Sequence, residues 1–465
     1  MSEAAVVVRG GQLLDRKAHQ AVAADVLVIG DTITEIGAPG CAVPPDARVI
    51  DATDRMLIPG LVNAHTHGHG NLAKGSGDRW TLESLLHAGP YLTGNRVLQD
   101  KYLTCLLGGL DMIRAGVTAA YDLFYEFPLP SLEGLRAAAR GYREAGLRVV
   151  LAPMVADCSF YQAVPGLLDA LPEPARRQVD RFTLAPRQET VAALTQIVRG
   201  WDSGDEQVLL ALAPTIPLHC SDAFMLACRD LARDAGLGLH MHLGESKVQA
   251  VSGMRRYGRS LTAHLEAIGF LGANLTAAHA VWLDEEDIAR LAHHGASVAH
   301  NPGSNLRLGS GVAPVQRMRA RGVALGIGTD GPHCSDNQNM FEAMRLAAMV
   351  SRIGSVDPDR WLSAEDALEM ATEGSARALG LEGRIGRISP GYKADIVLLD
   401  MGHPNLVPLN DPTHQLVHTE NGGAVDSVMV GGRLVLEHGR FPGIDFGALR
   451  QTVSERVQAL REANR

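Results

Sequence analysis

Four short segments carry residue types and spacings suited to metal-assisted hydrolysis. His65 and His67 close the run Leu61-Val62-Asn63-Ala64-His65-Thr66-His67. Residues two apart on a strand face the same way, so both imidazoles can reach one cation. Leu239-His240-Met241-His242-Leu243-Gly244-Glu245 repeats that spacing and adds a carboxylate three residues beyond His242. A carboxylate so placed can act as general acid/base beside a metal without ligating it. Spacing alone leaves the choice between His240 and His242 open. His279 ends Leu275-Thr276-Ala277-Ala278-His279, and Asp330 follows Ala324-Leu325-Gly326-Ile327-Gly328-Thr329. Each is a metal-competent residue at the tip of an apolar run. A single HxH is a weak signal in a chain with 18 histidines. Four such signals at corresponding ends of their runs point to a metal centre.

The elements that must position these residues are legible as alternating strands and helices. Buried-strand runs are predicted at Leu61–Ala64, Val117–Tyr121, Arg148–Ala152, Val208–Ala213, Leu237–Met241, Leu275–Ala278, Ser297–Ala299 and Ala324–Ile327. Helical stretches such as Leu106–Arg114, Ala223–Ala235, Glu285–His293 and Met340–Met349 fall between several of them. Eight strands with intervening helices predict an α/β fold, a (β/α)₈ TIM barrel whose chemistry sits at the C-terminal ends of strands one, five, six and eight. Short β runs separated by Gly, Pro and Asp occupy both chain ends. The expected organisation is therefore residues 1–58 and 384–465 as two parts of a small β-sandwich domain, the latter with a terminal helix, around a barrel at 59–383.

Composition narrows the function. Hydrophobic residues make up 46% of the 465 and charged residues 20%, ordinary globular usage. With 43 Lys+Arg against 52 Asp+Glu the net charge is −9, and no basic run is present to bind nucleic acid. No secretory signal or membrane-length apolar run is evident, and the six cysteines form no CxxC pair. These features predict a soluble, reduced, cytoplasmic protein. The HxE…PCxxC zinc-deaminase scaffold is absent.

In this order, the motifs PGLVNAHTH, HMHLGE, LTAAHAVWLDEEDI, HNPGSNLRLGSG and GIGTDG resemble the amidohydrolase superfamily. The likeness is greatest to its deaminases and related hydrolases of aminated nitrogen heterocycles. The resemblance implies His65, His67, His242 and Asp330 as metal ligands and Glu245 as proton shuttle. It implies that His279 polarises the attacking water and that Asp330 also accepts a proton, while His240 faces away from the metal or packs within its strand. Binuclear relatives bridge two metals with a carboxylated lysine on a middle strand, but no lysine lies between Lys101 and Lys247. One divalent ion is therefore expected, Zn²⁺ suiting the donor set, with Fe²⁺ or Mn²⁺ as alternatives.

The implied reaction is hydrolytic deamination of a purine, nucleoside, pyrimidine or triazine, metal-activated hydroxide attacking the amine-bearing carbon with release of ammonia. The alternative is hydrolysis of a cyclic amide or of a halide or alkylamine substituent. Trp80, Tyr125, His219, Asn305 and His333 are the substrate-binding candidates. The segment Leu212-Ala213-Pro214-Thr215-Ile216-Pro217-Leu218-His219-Cys220-Ser221 departs from the HAPYTCS-like pattern of relatives, which leaves the particular heterocycle unassigned. Relatives also imply a homodimer or larger homo-oligomer.

Overall fold

The computed structural model describes residues 5–179, 184–202 and 204–464. The chain is α/β with parallel sheets. One sheet orders Ala213–Pro214, Arg148–Val155, Val117–Tyr125 and Leu61–Thr66, with Val208–Leu210 also pairing Arg148–Val155. A second orders Leu239–Leu243, Leu275–His279, Ser297–His300 and Ala324–Ile327. All residues of Leu61–Thr66, Leu239–Leu243 and Leu275–His279 are buried, because parallel strands covered on both faces need near-continuous apolar runs.

Seven of the eight predicted barrel strands appear as single strands, several extended by a few residues. The fourth is broken into Val208–Leu210 and Ala213–Pro214. The break comes where the chain changes partners: Ala211 N–H donates to Leu151 O, but Leu212 N–H donates to Gly238 O at 3.1 Å. His240 N–H returns a bond to Leu212 O at 3.0 Å, tying the two parallel sheets together. Their other edges meet where Asp330 N–H donates to His65 O at 2.9 Å.

The two chain ends share one eight-stranded sheet. Its order is Arg433–Leu436, Val425–Val430, Ile396–Asp400, Arg55–Pro59, Ala5–Asp15, Gln20–Ile29 and Thr32–Gly37, with Arg48–Asp51 beside Ala5–Asp15. A buried ion pair, Arg148 Nη2 to Asp395 Oδ1 at 3.3 Å, joins this sheet to the first parallel sheet. Among the described residues no helix is long and apolar enough to cross a membrane.

Candidate metal centre

His65 lies on Leu61–Thr66, His67 directly follows it, and His242 lies on Leu239–Leu243. The register Leu243↔His279 sets strand Leu275–His279 beside the latter, bringing His279 to the same end. His279 (φ 72°) and Asp330 (φ 63°) sit in the left-handed region although neither is glycine. Non-glycine residues there store about 1–3 kcal/mol each and persist only where their surroundings enforce them. Here the enforcing bonds on Asp330 are its N–H to His65 O and its carbonyl, which accepts from Thr66 Oγ1 at 3.0 Å.

The imidazole orientations follow from what their Nδ1 atoms touch. His67 Nδ1 donates to Leu123 O and His242 Nδ1 donates to Thr215 O, both at 2.8 Å. His279 Nδ1 lies 2.9 Å from Asn305 Oδ1. Carbonyl acceptors force the proton onto Nδ1, so Nε2 of His67 and of His242 carries a bare lone pair. These two lone pairs face each other at 3.1 Å. Asp330 Oδ1 lies 3.3 Å from His67 Nε2 and 3.4 Å from His65 Nε2. His65 Nε2 and His279 Nε2 are buried without a hydrogen-bond partner. Converging lone pairs with no proton between them repel unless a cation lies among them. Separations of this size suit atoms sharing one ion with bonds of about 2.0–2.2 Å. The donor set fits a divalent metal, and His67 and His242 each have the outer hydrogen bond that fixes a metal-binding tautomer.

Electrostatics agree. Burial lowers the His65 imidazole to about 3 and pulls His242 and His279 below their ordinary value, which favours the neutral form that metal ligation needs of His65 and His242. Burial alone would raise the Asp330 carboxyl, but its close contact with His65 Nε2 and the electrostatic influence of the surrounding imidazoles of His279, His65 and His67 hold it well below the usual range. Glu245 moves the opposite way: burial, then the negative charges of Asp330 and Glu83, push it well above an ordinary carboxyl. Glu245 Oε1 stands 3.8 Å from His279 Nε2, as does Asp330 Oδ2. Two neighbouring carboxyls with opposite shifts have the chemistry an acid/base pair needs.

The pattern common to the Amidohydrolase family matches residues 56–435. The chain belongs to the amidohydrolase family. It is 34% identical over 401 residues to a 5-methylthioadenosine/S-adenosylhomocysteine deaminase of Syntrophobacter fumaroxidans, covering 84% of this chain and 83% of that one. It is 32% identical over 446 residues to a 5'-deoxyadenosine deaminase of Methanothermobacter thermautotrophicus, covering 94% and 95%. Among solved structures it resembles a zinc-bound adenosine deaminase from Xanthomonas campestris, with a TM-score of 0.86, 26% identity and 98% of both chains covered. It also resembles a triazine hydrolase from Arthrobacter aurescens, with a TM-score of 0.86, 25% identity, and 99% and 100% covered.

In this amidohydrolase a cavity of about 200 Å³ opens onto the cluster. His67, His242, Glu245 and Asp330 form its floor, and Tyr125, His219 and His333 lie in its wall. Trp80 lies elsewhere: it packs against Leu82, Leu85, Leu308 and Cys334, of which Leu82, Leu85 and Cys334 face the cavity. Asn305 also lies outside the lining and instead meets His279 Nδ1. His240 turns from the cluster, its Nε2 3.1 Å from His65 Nδ1 and its ring edge-on to Tyr121.

Sequence reasoning missed most of the wall. Leu82, Leu85 and Leu86 come from the helix Leu82–Thr93, Phe160 and Tyr161 from Phe160–Ala163. Asp122 is missed as a brace: its Oδ1 accepts from Gly68 N–H and its Oδ2 from Tyr142 Oη, both at 2.7 Å, securing the backbone after His67.

Proposed function

We propose that this amidohydrolase is a metal-dependent hydrolytic deaminase of an aminated nitrogen heterocycle, with an adenine nucleoside as the leading substrate type. The observation that carries the reading is the facing pair of His67 and His242 lone pairs, with Asp330 against them and Glu245 beside them at the floor of the cavity. The deaminase names of relatives at 32–34% identity support adenine chemistry. One zinc ion, held by His65, His67, His242 and Asp330, is the proposed cofactor; the zinc of the adenosine deaminase neighbour supports it.

A divalent ion in this position supplies Lewis-acid activation of water, whose pKa it can bring from 15.7 to about 7. The protein side chains do the rest. Glu245, kept protonatable by burial, takes one proton from the attacking water and delivers it to a ring nitrogen, which makes the amine-bearing carbon electrophilic. His279, its Nδ1 fixed by Asn305, presents Nε2 to the incoming oxygen. Asp330 accepts the second proton of that water and passes it to the amine, which leaves as ammonia. The apolar wall of Leu82, Leu85, Met154, Phe160 and Ile216 covers the flat ring and excludes bulk water, which strengthens each charge interaction on the floor.

A second reading is hydrolysis of a halide or alkylamine substituent from a triazine, favoured by the fold match to the triazine hydrolase. The same residues would serve, the leaving group alone differing. Mass spectrometry of products with parallel ammonia detection, on zinc-loaded protein and a panel of adenine nucleosides, pyrimidines and triazines, tests both. Exchange of amine for oxygen with ammonia released is the expected result. Release of halide or alkylamine instead selects the second reading, and no turnover of any compound refutes both.

The fold reading extends in the same way. The bonds joining the two parallel sheets at both edges support a closed (β/α)₈ barrel at 59–383, with residues 1–58 and 384–465 forming the small β domain as a sandwich. Val248, Val251 and Met254, exposed along the helix Lys247–Tyr257, support self-association, which sedimentation velocity tests.

A further inference from the structure

His240 shares the strand of His242 but has no part in the chemistry above. It is fully buried, and its Nε2 stands 3.1 Å from Nδ1 of His65. The other three imidazoles of the cluster direct Nδ1 to an oxygen, Leu123 O, Thr215 O or Asn305 Oδ1. An oxygen acceptor permits one tautomer of its imidazole only. His65 alone has a second imidazole at that place, and an imidazole nitrogen can either donate or accept. The tautomer of His65 therefore depends on the tautomer of its partner.

We infer that His240 is a positioning residue that sets the metal-binding tautomer of His65 by accepting its Nδ1 proton. The inference rests on the reading of His65 as a ligand. For His65 Nε2 to offer a lone pair, its proton must sit on Nδ1 and point at His240 Nε2, which must then be bare. Neutral His240 in that state carries its proton on Nδ1. The opposite arrangement, a proton on His240 Nε2 donated to His65 Nδ1, puts the His65 proton on Nε2, where it would face Asp330 Oδ1 at 3.4 Å and block the ion. Both arrangements hold the same number of protons, so the choice between them is one of tautomer and not of charge.

One contact keeps His240 in place for the first arrangement. The Tyr121 ring lies edge-on against His240 with centroids 4.4 Å apart, which holds the imidazole plane so that Nε2 stays aimed at His65. His240 Nδ1 is buried with no protein partner, so the first arrangement leaves an unpaired N–H there and holds only while a cation engages the lone pair of His65 Nε2. Tyr121 Oη is likewise buried and unpartnered, so the ring acts by packing and not by a hydrogen bond.

The test compares zinc dissociation constants, measured by competition with a chelating dye, for wild type, His240→Gln and His240→Phe, with His242→Ala as control. Gln keeps an oxygen acceptor near the position of Nε2; Phe keeps the ring and removes the acceptor. Loss of such an outer hydrogen bond weakens metal binding about 10- to 100-fold, so Phe is expected in that range and Gln within about threefold of wild type. Equal affinity for Phe and wild type overturns the inference. Zinc binding that survives His242→Ala unchanged overturns the underlying site reading instead. Independently of any variant, imidazole ¹⁵N shifts of the zinc-loaded wild type are expected to report His240 protonated on Nδ1; protonation on Nε2 refutes the assignment.

Discussion

Replacing Glu245 by Gln separates proton transfer from every other property of the site. The side chain keeps its size, its burial and the bond from its own backbone N–H to Gln249 Oε1 at 3.0 Å. It loses only the ability to carry a transferable proton. A positioned acid/base is worth about 10²- to 10⁴-fold, or roughly 2.7–5.4 kcal/mol of barrier. The upper half of that range is expected, because Asp330 is the single other carboxylate among the described residues that line the cavity. Asp330 is also held well below the usual carboxyl range, which suits it to accept the second proton of the water and not to replace Glu245 at the ring nitrogen. Folding should not suffer, since Gln relieves a buried carboxyl that its surroundings already push toward neutrality. The assay is ammonia release in single turnover, with zinc content by elemental analysis and thermal unfolding alongside. A variant with full zinc that keeps more than a tenth of wild-type turnover refutes the shuttle role. A variant that has lost its zinc would make Glu245 a ligand.

Four further outcomes follow from the geometry. Asn305→Ala removes the acceptor from His279 Nδ1 and is expected to lower kcat by about 10- to 100-fold with zinc affinity unchanged, read from kinetics beside a metal titration. Gly328→Ala would place a methyl 2.9 Å from His65 N and against Asn301 Oδ1; overpacking of this kind costs about 1–3 kcal/mol, and a lowered Tm together with weaker zinc binding checks it. Stripping zinc with a chelator is expected to abolish turnover and lower Tm, both restored by Zn²⁺ and not by Mg²⁺, whose oxygen-rich octahedral preference this donor set does not meet. His219 is depressed to about 4, first by burial and then by Arg256, so the unfolded chain takes up its proton before the folded one as pH falls below about 6.5. Stability is then lost between pH 6.5 and 4, roughly 2 kcal/mol of it by pH 5, and urea unfolding of His219→Asn at pH 7 and pH 5 should show that much less acid sensitivity.

How much of this was legible in the sequence depended on whether a residue's role is set by its own strand or by a neighbour distant in the chain. His65 and His67 were legible because a buried parallel strand reads as an apolar run, and a two-residue spacing at its end puts both side chains on one face. His279 and Asp330 were found as polar tips of such runs, although their left-handed backbone left no mark, since neither is a glycine. The cavity wall was hidden: Leu82, Leu85 and Phe160 are apolar residues whose types match ordinary core, and only the path of their helices turns them toward the floor. Trp80 attracted attention by bulk, yet bulk is equally useful one layer back, where it packs behind Leu82 and Leu85. Asn305 offered a signal in its four-residue spacing from Asn301, which puts both amides on one side of a helical turn, and both do reach His279. The pair His240 and His242 marks the limit most sharply. Period two gives them the same face, so nothing in the strand itself distinguishes them. What does is the partner each meets: Thr215 O takes the Nδ1 proton of His242 and frees its Nε2 for the cluster, while His240 finds Nδ1 of His65 and the edge of Tyr121. Those partners come from three other strands and loops, so the division of labour between two identical residues is a property of tertiary contact alone.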